Sequence, residues 1–438
     1  MVKKYGPVIL LLATGFFSIL LYLLLRIQLD LGADIPRFIL IYLALFLFYI
    51  NTILLAQNQD NFKTPFIIII VIFAVAFRLC LLTSAPTLSN DIYRYIWDGK
   101  ILANGINPYE HAPSSPQLQY LQDKDFKKMD HRDIHTSYPP FAEAVFAAAY
   151  SLSPHPDALK VIFLLFDLAI MALIFLILKS LKKNTMNIII YAWSPLAVIE
   201  VSASGHLDPI AIFWLVLAVL FYYNQKPLSC AFSLALASLS KFLALPFLFL
   251  CAKFTTLKRC VFAIVFFCFF FIPFMAAGQG LYKGALNYLS LWEFNGSIFP
   301  ILLYLTHSYL LTKIFIFIVL AAIFIYLLAK EDKFPRAVFI MLAALFMLSP
   351  SVHPWYLLWM LPFLCIYESP PWLVLTGTIV FSYSVLTGYF YCGTWKETIE
   401  SRLFVYAPFY FLLLSGFIKR LFIQNGIWVR RAFTIIKK

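Results

Sequence analysis

Four polar clusters interrupt an otherwise apolar chain, and each holds side chains able to do acid–base or phosphate chemistry. The first is Ser89-Asn90-Asp91-Ile92-Tyr93-Arg94-Tyr95-Ile96-Trp97-Asp98-Gly99, directly after an apolar run. Read as a helix, it puts Asp91, Tyr95 and Asp98 on one face, because positions three and four apart are neighbours. A carboxylate such as Asp91 can take the proton of an attacking hydroxyl. The competing reading has Asp91 capping an interfacial helix whose Tyr and Trp rings lie in the headgroup belt.

The second cluster, Ser204-Gly205-His206-Leu207-Asp208-Pro209, follows Glu200. A capped turn at the start of a helix accounts for Asp208. It does not account for His206 or Glu200, which are costly at membrane depth unless paired or facing water. The third is Lys241, in Ser240-Lys241-Phe242-Leu243-Ala244-Leu245-Pro246. A lysine in an apolar run costs about 2.5–3.5 kcal/mol near the bilayer centre and less if it snorkels. Two short segments meeting at Lys241 would instead bring it near a membrane face, where it could neutralise a phosphate. The fourth, Ser349-Pro350-Ser351-Val352-His353-Pro354-Trp355-Tyr356, sets a histidine among aromatics at a helix start.

Lys241, His206, His353 and Arg94 are therefore candidates for holding a phosphate. A lipid phosphate leaves as a stabilised anion, so one base with cations would suffice, unlike the two carboxylates of a glycosidase. A sugar or acceptor would be packed by Asp98, Asn107, Tyr109, Tyr138, Asp208, Trp292, Glu293, Asn295 and Trp355. Asn107 and Tyr109 belong to the turn Gly105-Ile106-Asn107-Pro108-Tyr109, and Trp292 and Asn295 to Leu291-Trp292-Glu293-Phe294-Asn295-Gly296. For Trp292, Trp355 and Tyr356 an aromatic belt is an equal alternative. His131 and His135 are four apart, but in a charged loop, so metal ligation is not favoured and no cofactor is expected. A divalent metal stays open.

The elements that must position these residues are membrane helices. Of 438 residues, 62% are hydrophobic and 13% charged, where a soluble domain carries about a quarter charged. Apolar segments fall at about 5–26, 36–56, 64–83, 156–178, 186–202, 208–223, 228–240, 242–252, 260–276, 309–329, 337–349, 354–367, 372–391 and 401–422. Several reach the roughly 18 residues that span a ~30 Å core, and the shorter ones would cross only as tilted or broken helices. Residues 139–153 are expected to lie along the interface. The first run is too long for a signal-peptide core and reads as an uncleaved helix. Six of the seven cysteines lie in or beside apolar runs without metal-ligand spacing, so neither disulfide nor zinc is inferred.

The net charge of +13 follows topology rather than nucleic acid. With the N-terminus cytoplasmic, the inner loops Gln57–Lys63, Lys179–Asn184, Asn224–Pro227, Lys253–Arg259 and Lys330–Arg336 are nearly all basic. The tail from Lys419, with Arg420, Arg430, Arg431, Lys437 and Lys438, is basic too. The outer loops, Thr83–Tyr138, Ser202–Leu207, Ala277–Ser297, Ser349–Pro354 and Tyr391–Ser401, collect the Asp, Glu, His, Trp and Asn residues instead. No internal repeat or appended soluble domain is evident, so residues 1–438 read as one membrane domain with an outer region at 83–153.

With these residues assembled, the chain resembles the GT-C fold glycosyltransferases. It is more closely similar to the bacterial polyprenyl-phosphate-sugar-dependent mannosyltransferase-like group, distantly related to the first mannosyltransferase of GPI-anchor assembly. The likeness rests on Asn90 to Gly99 with Gly105 to Tyr109, Ser137-Tyr138-Pro139-Pro140, Gly205 to Pro209, Lys241 with Pro246, and His353 to Tyr356. It implies an all-α polytopic bundle of about 11–14 transmembrane helices with a long extracytoplasmic first-site loop. It also implies a polyprenyl-phosphate-linked sugar donor, inversion at the anomeric carbon and Asp91 as base. Where eukaryotic relatives carry Asp-x-Asp, this sequence has Asn90-Asp91-Ile92, so that motif's metal role does not carry over and Asp98 stays an alternative base.

The leading expectation is transfer of a hexose, mannose by resemblance, to a hydroxyl of a glycan, lipid or protein acceptor at the outer face of a bacterial inner membrane. Membrane lipid is then a partner and nucleic acid is not. The rival is a transporter or flippase of a lipid-linked sugar, which would predict two related halves meeting at the midplane. The enzyme reading requires Asp91, His206, Lys241 and His353 to converge.

Overall fold

The computed structural model describes residues 2–30, 34–57 and 63–436, with the side chains of 2–5, 63 and 419–436 left aside. Most of the expected basic loop Gln57–Lys63, the tail side chains from Lys419 and residues 437–438 lie outside the described residues. Every regular element among the described residues is a helix, joined by turns and loops such as 104–115 and 129–139, with only isolated bridges from Phe294 and Asn295 to Ser351. Helices α1 (Val2–Asp30), α2 (Ile35–Gln57) and α3 (Lys63–Leu81) precede a non-spanning pair, α4 (Asp91–Ala103) and α5 (Pro140–Leu152). There follow α6 (Pro156–Ser180), α7 (Ile189–Ala192), α8 (Pro195–Val198), α9 (Asp208–Tyr223), α10 (Pro227–Ser240), α11 (Leu245–Phe254) and α12 (Leu257–Phe269). The remainder comprises α13 (Gly280–Leu291), α14 (Phe299–Thr306), α15 (Tyr309–Lys330), α16 (Phe334–Leu348), α17 (Leu361–Tyr367), α18 (Pro370–Thr378), α19 (Val385–Cys392) and α20 (Ile399–Ile436).

Among the described residues, seven helices are long and apolar enough to cross a bilayer, one further apolar pair is bent at a break, and five shorter apolar helices accompany them. The protein is an all-α polytopic membrane protein. One apolar core runs from Leu11 to Phe409. The outer faces stay apolar as well, with Phe317 on α15 72% exposed and Phe411 on α20 also 72%, as suits helices bathed in acyl chains.

Proline sets the breaks. It occupies the first turn of α5, α6, α9, α10, α16 and α18, where its missing N–H costs nothing. Within the run 186–202, Ser194-Pro195 divides the apolar stretch into segments bent by 50°, since proline lacks a donor and bars its predecessor from the helical region. The second segment ends in a π-helical turn at Ile199–Ala203, a local widening that recurs at functional sites.

Three features build the end of the bundle that carries the polar clusters. Helix α4 lies against α5 so closely that a Cβ on Gly99 would sit 2.4 Å from the Phe146 carbonyl oxygen. The stretch 277–297, expected as a loop, contains α13, pressed onto the long loop where a Cβ on Gly284 would be 2.1 Å from the Thr136 carbonyl oxygen. Between α10 and α11 the helix stops at Lys241, whose backbone is extended (φ −156°, ψ 127°), giving the two short segments that the sequence suggested. At the far end, Lys183 donates to the Ile366 carbonyl oxygen and Lys253 to that of Glu331, tying basic loops together.

Ionisable residues that the sequence reading passed over lie deep between the spans. Arg78 and Asp167, both fully buried, form a direct ion pair, and the guanidinium also donates to the carbonyl oxygens of Ala74 and Ala192. Tyr191 donates to the other Asp167 oxygen at 2.7 Å. The pair ties α3, α6 and α7.

Candidate active site

Asp91 opens α4 and keeps part of its surface. Among the described residues its carboxylate makes no hydrogen bond; only its backbone N–H reaches the Ser89 Oγ, at 3.3 Å. Burial nonetheless pushes its pKa up to about 6, with Lys241 as the strongest opposing charge and Asp130 and Asp208 adding to the rise. A carboxyl with no partner and a pKa near neutrality is suited to accepting a proton.

Lys241 reaches this place because the chain turns extended between two helices. Its ammonium lies 2.7 Å from Asp208 Oδ1 and 4.7 Å from the centre of the Tyr356 ring, with the lysine side chain 18% exposed. Asp208 Oδ1 also accepts from the Trp359 indole at 2.6 Å, whereas Oδ2 is buried without a partner. The sequence cast Asp208 as a sugar or acceptor contact. The structure buries it as the counter-ion of Lys241, so the lysine is held in place.

The histidines stand in a ladder of rings. Phe294 stacks on His353 at 4.7 Å, His353 on Trp355 at 4.3 Å, and Trp355 on His206 at 3.8 Å. His206 is fully buried and, among the described residues, neither ring nitrogen has a hydrogen-bond partner. Burial, reinforced by Lys241, lowers His353 to about 3 and takes His206 well below its ordinary value. Both are thus neutral imidazoles at physiological pH, able to donate one hydrogen bond each, rather than the cations that a phosphate site first suggests. Lys241, Asp208, His206, His353, Trp355 and Tyr356 accordingly sit together, and Asp91 lies within reach of the charge on Lys241.

Several other candidates are occupied with holding the structure. Asp98, 2% exposed, receives the Arg94 guanidinium Nε on both oxygens at 2.9 Å, and Arg94 donates again to the Ile134 carbonyl oxygen. Burial raises Asp98 against the pull of Arg94. Asn107 ties Phe274 and Tyr109 to its turn, and the Tyr109 hydroxyl, buried, donates to the Tyr138 carbonyl oxygen at 2.7 Å. Tyr138 packs edge-on to Tyr95. Asn295 is buried with φ +51° and donates its amide to the Val352 carbonyl oxygen, while its backbone N–H meets Glu397. Its contribution is to fasten the 294–297 turn to the histidine loop. Trp292 stands apart against His131 and Tyr288, and Glu293 is exposed.

Two buried acids, Glu143 and Glu200, lie beside residues that the sequence proposes for the site. Glu143 on α5 accepts from the Thr136 hydroxyl at 2.7 Å, and burial beside Asp98 raises it well above the usual carboxylate range. Glu200 accepts from the Tyr383 hydroxyl at 2.6 Å and lies 3.9 Å from His206 Nδ1. Glu143 is an acid in an apolar stretch, the same signal that singles out Glu200 in the sequence. The groove lined by Leu228, Phe232, Thr256, Lys258, Arg259 and Phe262 contains none of these residues.

The family described as alpha-(1->6)-mannopyranosyltransferase, N-terminal domain, matches residues 33–255, just over half of the 438. The chain belongs to this family. It is thereby a membrane glycosyltransferase of the GT-C mannosyltransferase type. The matched residues of this mannosyltransferase include Asp91, Arg94, Glu200, His206, Asp208 and Lys241, whereas His353 and Trp355 lie beyond them. No curated protein matches the chain.

Proposed function

We propose that this mannosyltransferase moves a mannosyl unit from a polyprenyl-phosphate donor to an acceptor hydroxyl at the extracytoplasmic face, with inversion at the anomeric carbon. The observation that carries the reading is the unpartnered Asp91 carboxyl, raised to about 6 and facing the charge of Lys241. Asp91 takes the proton as the acceptor oxygen attacks the anomeric carbon, and the bond to the phosphate oxygen breaks on the opposite side. The departing phosphate gains negative charge, which Lys241 offsets by Coulomb attraction while neutral His206 and His353 donate hydrogen bonds. Asp208 keeps the ammonium in position without cancelling it. Arg94 is committed to Asp98 and Ile134, and its role is to restrain the charge near Asp91.

The acceptor is a glycan, and a 1→6 linkage is the form that the family description suggests. Asp98 is the weaker candidate for the base, because its two oxygens are already held by Arg94. No step requires a metal. Residues 1–438 act as one domain of the inner membrane, both termini cytoplasmic. The experiment is transfer by purified protein in lipid. Asp91→Asn is expected to lower kcat by about 10²–10⁴-fold, with donor binding retained. Lys241→Ala alone would strand a buried carboxylate, so Lys241→Ala with Asp208→Asn is the cleaner variant, expected to weaken donor binding. Full activity in both overturns the assignment. Movement of labelled donor across the bilayer without covalent transfer would instead support a flippase.

A further inference from the structure

Glu200 plays no part in the reaction as described, yet its surroundings are built around it. It sits in the π-helical turn at Ile199–Ala203, fully buried. Tyr383, from a segment 183 positions away, donates to Oε1 at 2.6 Å. That leaves Oε2 without a hydrogen-bond partner among the described residues, 3.9 Å from His206 Nδ1, itself buried and likewise without one. The His206 backbone N–H, moreover, donates to the Glu200 carbonyl oxygen at 3.0 Å, fixing ring and carboxyl in register. The titratable groups within reach of the pair are Lys241 and the neutral His353 on the imidazole side and Asp208 and Asp91 on the carboxyl side, where the Ser204 hydroxyl also lies close. Two facing, unpaired, fully buried polar groups are costly unless they serve each other.

We propose that Glu200 is a positioning residue that acts through His206: its carboxyl proton faces Nδ1, so that the imidazole presents Nε2–H to the phosphate of the donor. The proposal rests on the reading of His206 as a phosphate contact. Closing the gap takes a shift of about 1 Å to hydrogen-bond distance. A second consequence follows from the same geometry. As the leaving phosphate gains its negative charge, the O–H bond of Glu200 breaks and an N–H bond forms at Nδ1. The result is a carboxylate held by Tyr383 and an imidazolium still donating from Nε2. No proton enters or leaves the pair, and charge arises on His206 only when the phosphate needs it. The carboxylate–imidazole unit thus supplies on demand the cation that the buried ring does not carry at rest, much as outer partners orient histidines elsewhere.

Glu200→Gln separates the two roles. The Tyr383 hydroxyl would keep the amide oxygen, leaving the NH2 to face Nδ1 and hold the same tautomer, but the amide has no proton to give. The expected result is a donor KM within about twofold of wild type and a kcat lowered about ten- to a hundredfold. Glu200→Leu should raise KM and lower kcat together, and Glu200→Asp should recover part of kcat. A Glu200→Gln protein with wild-type kcat and thermal midpoint overturns the proposal, as does one whose KM rises in step with the fall in kcat. Asp91→Asn is measured in parallel. Activity there with the Glu200 pattern intact removes the base assignment and leaves this inference standing, while loss at Asp91 with an unaltered Glu200→Gln does the reverse.

Discussion

At the scale of single residues, the chemistry of this mannosyltransferase depends on what burial does to ordinary side chains. Asp91 makes no side-chain hydrogen bond among the described residues, yet it is raised to about 6. A base must be ionised, so kcat is expected to fall as pH drops through about 6. Asp98→Asn should keep that acid limb if Asp91 is the base, a pH–rate profile being the measurement. The sign for stability is opposite to that of a salt-bridged carboxylate. Between the unfolded carboxylate value of about 4 and about 6, the folded protein holds a proton that the unfolded chain releases. Asp91 therefore costs stability as pH rises through that window, and its ionised form remains a cost above it. Asp91→Asn is accordingly expected to melt at or above the wild-type temperature at pH 7.5 in a thermal-shift assay, while losing activity.

At the scale of elements, two contacts decide whether the site is assembled. Gly99 lets α4 touch the α5 backbone, and a methyl there would meet a carbonyl oxygen at 2.4 Å, too rigid a neighbour to give way. Gly99→Ala should separate the helices and shift Asp91, lowering kcat several-fold with a thermal midpoint reduced by a few degrees. The Arg78–Asp167 pair joins three spans. Removing one partner leaves a buried charge, worth about 3–5 kcal/mol, so Asp167→Leu should markedly lower the melting temperature. Arg78→Met with Asp167→Leu should recover much of that loss, since an apolar pair of similar volume carries no desolvation cost. Thermal denaturation in one detergent compares all three proteins.

At the scale of the whole molecule, sidedness is the property to test. Glu110 is exposed in the region at 83–153, and Lys333 lies at the end of the bundle where basic loops meet. In a chain whose exposed Cys268 and Cys392 are replaced by serine, Glu110→Cys should react with a membrane-impermeant maleimide on intact cells. Lys333→Cys should react only after the membrane is opened. The converse labelling would place the site in the cytoplasm and remove a polyprenyl-phosphate donor presented from outside.

The amino-acid sequence by itself determined the class of molecule. Apolar runs of spanning length admit only helices that satisfy their own backbone. It also singled out Asp91, His206, Lys241 and His353 as candidates, because ionisable groups rarely stand in or beside such runs. The sequence could not determine their partners. Lys241 meets Asp208 across 33 positions and Glu200 meets Tyr383 across 183, separations over which spacing carries no information. Arg78 and Asp167 were hidden in the same way, each an isolated charge in its own helix until packing brought them together. Protonation state was decided last and only by tertiary structure, because it follows from how much water the assembled site excludes. That exclusion leaves His206 and His353 neutral, keeps Asp91 near 6, and turns a set of polar interruptions into an arrangement with a raised carboxyl near a restrained cation.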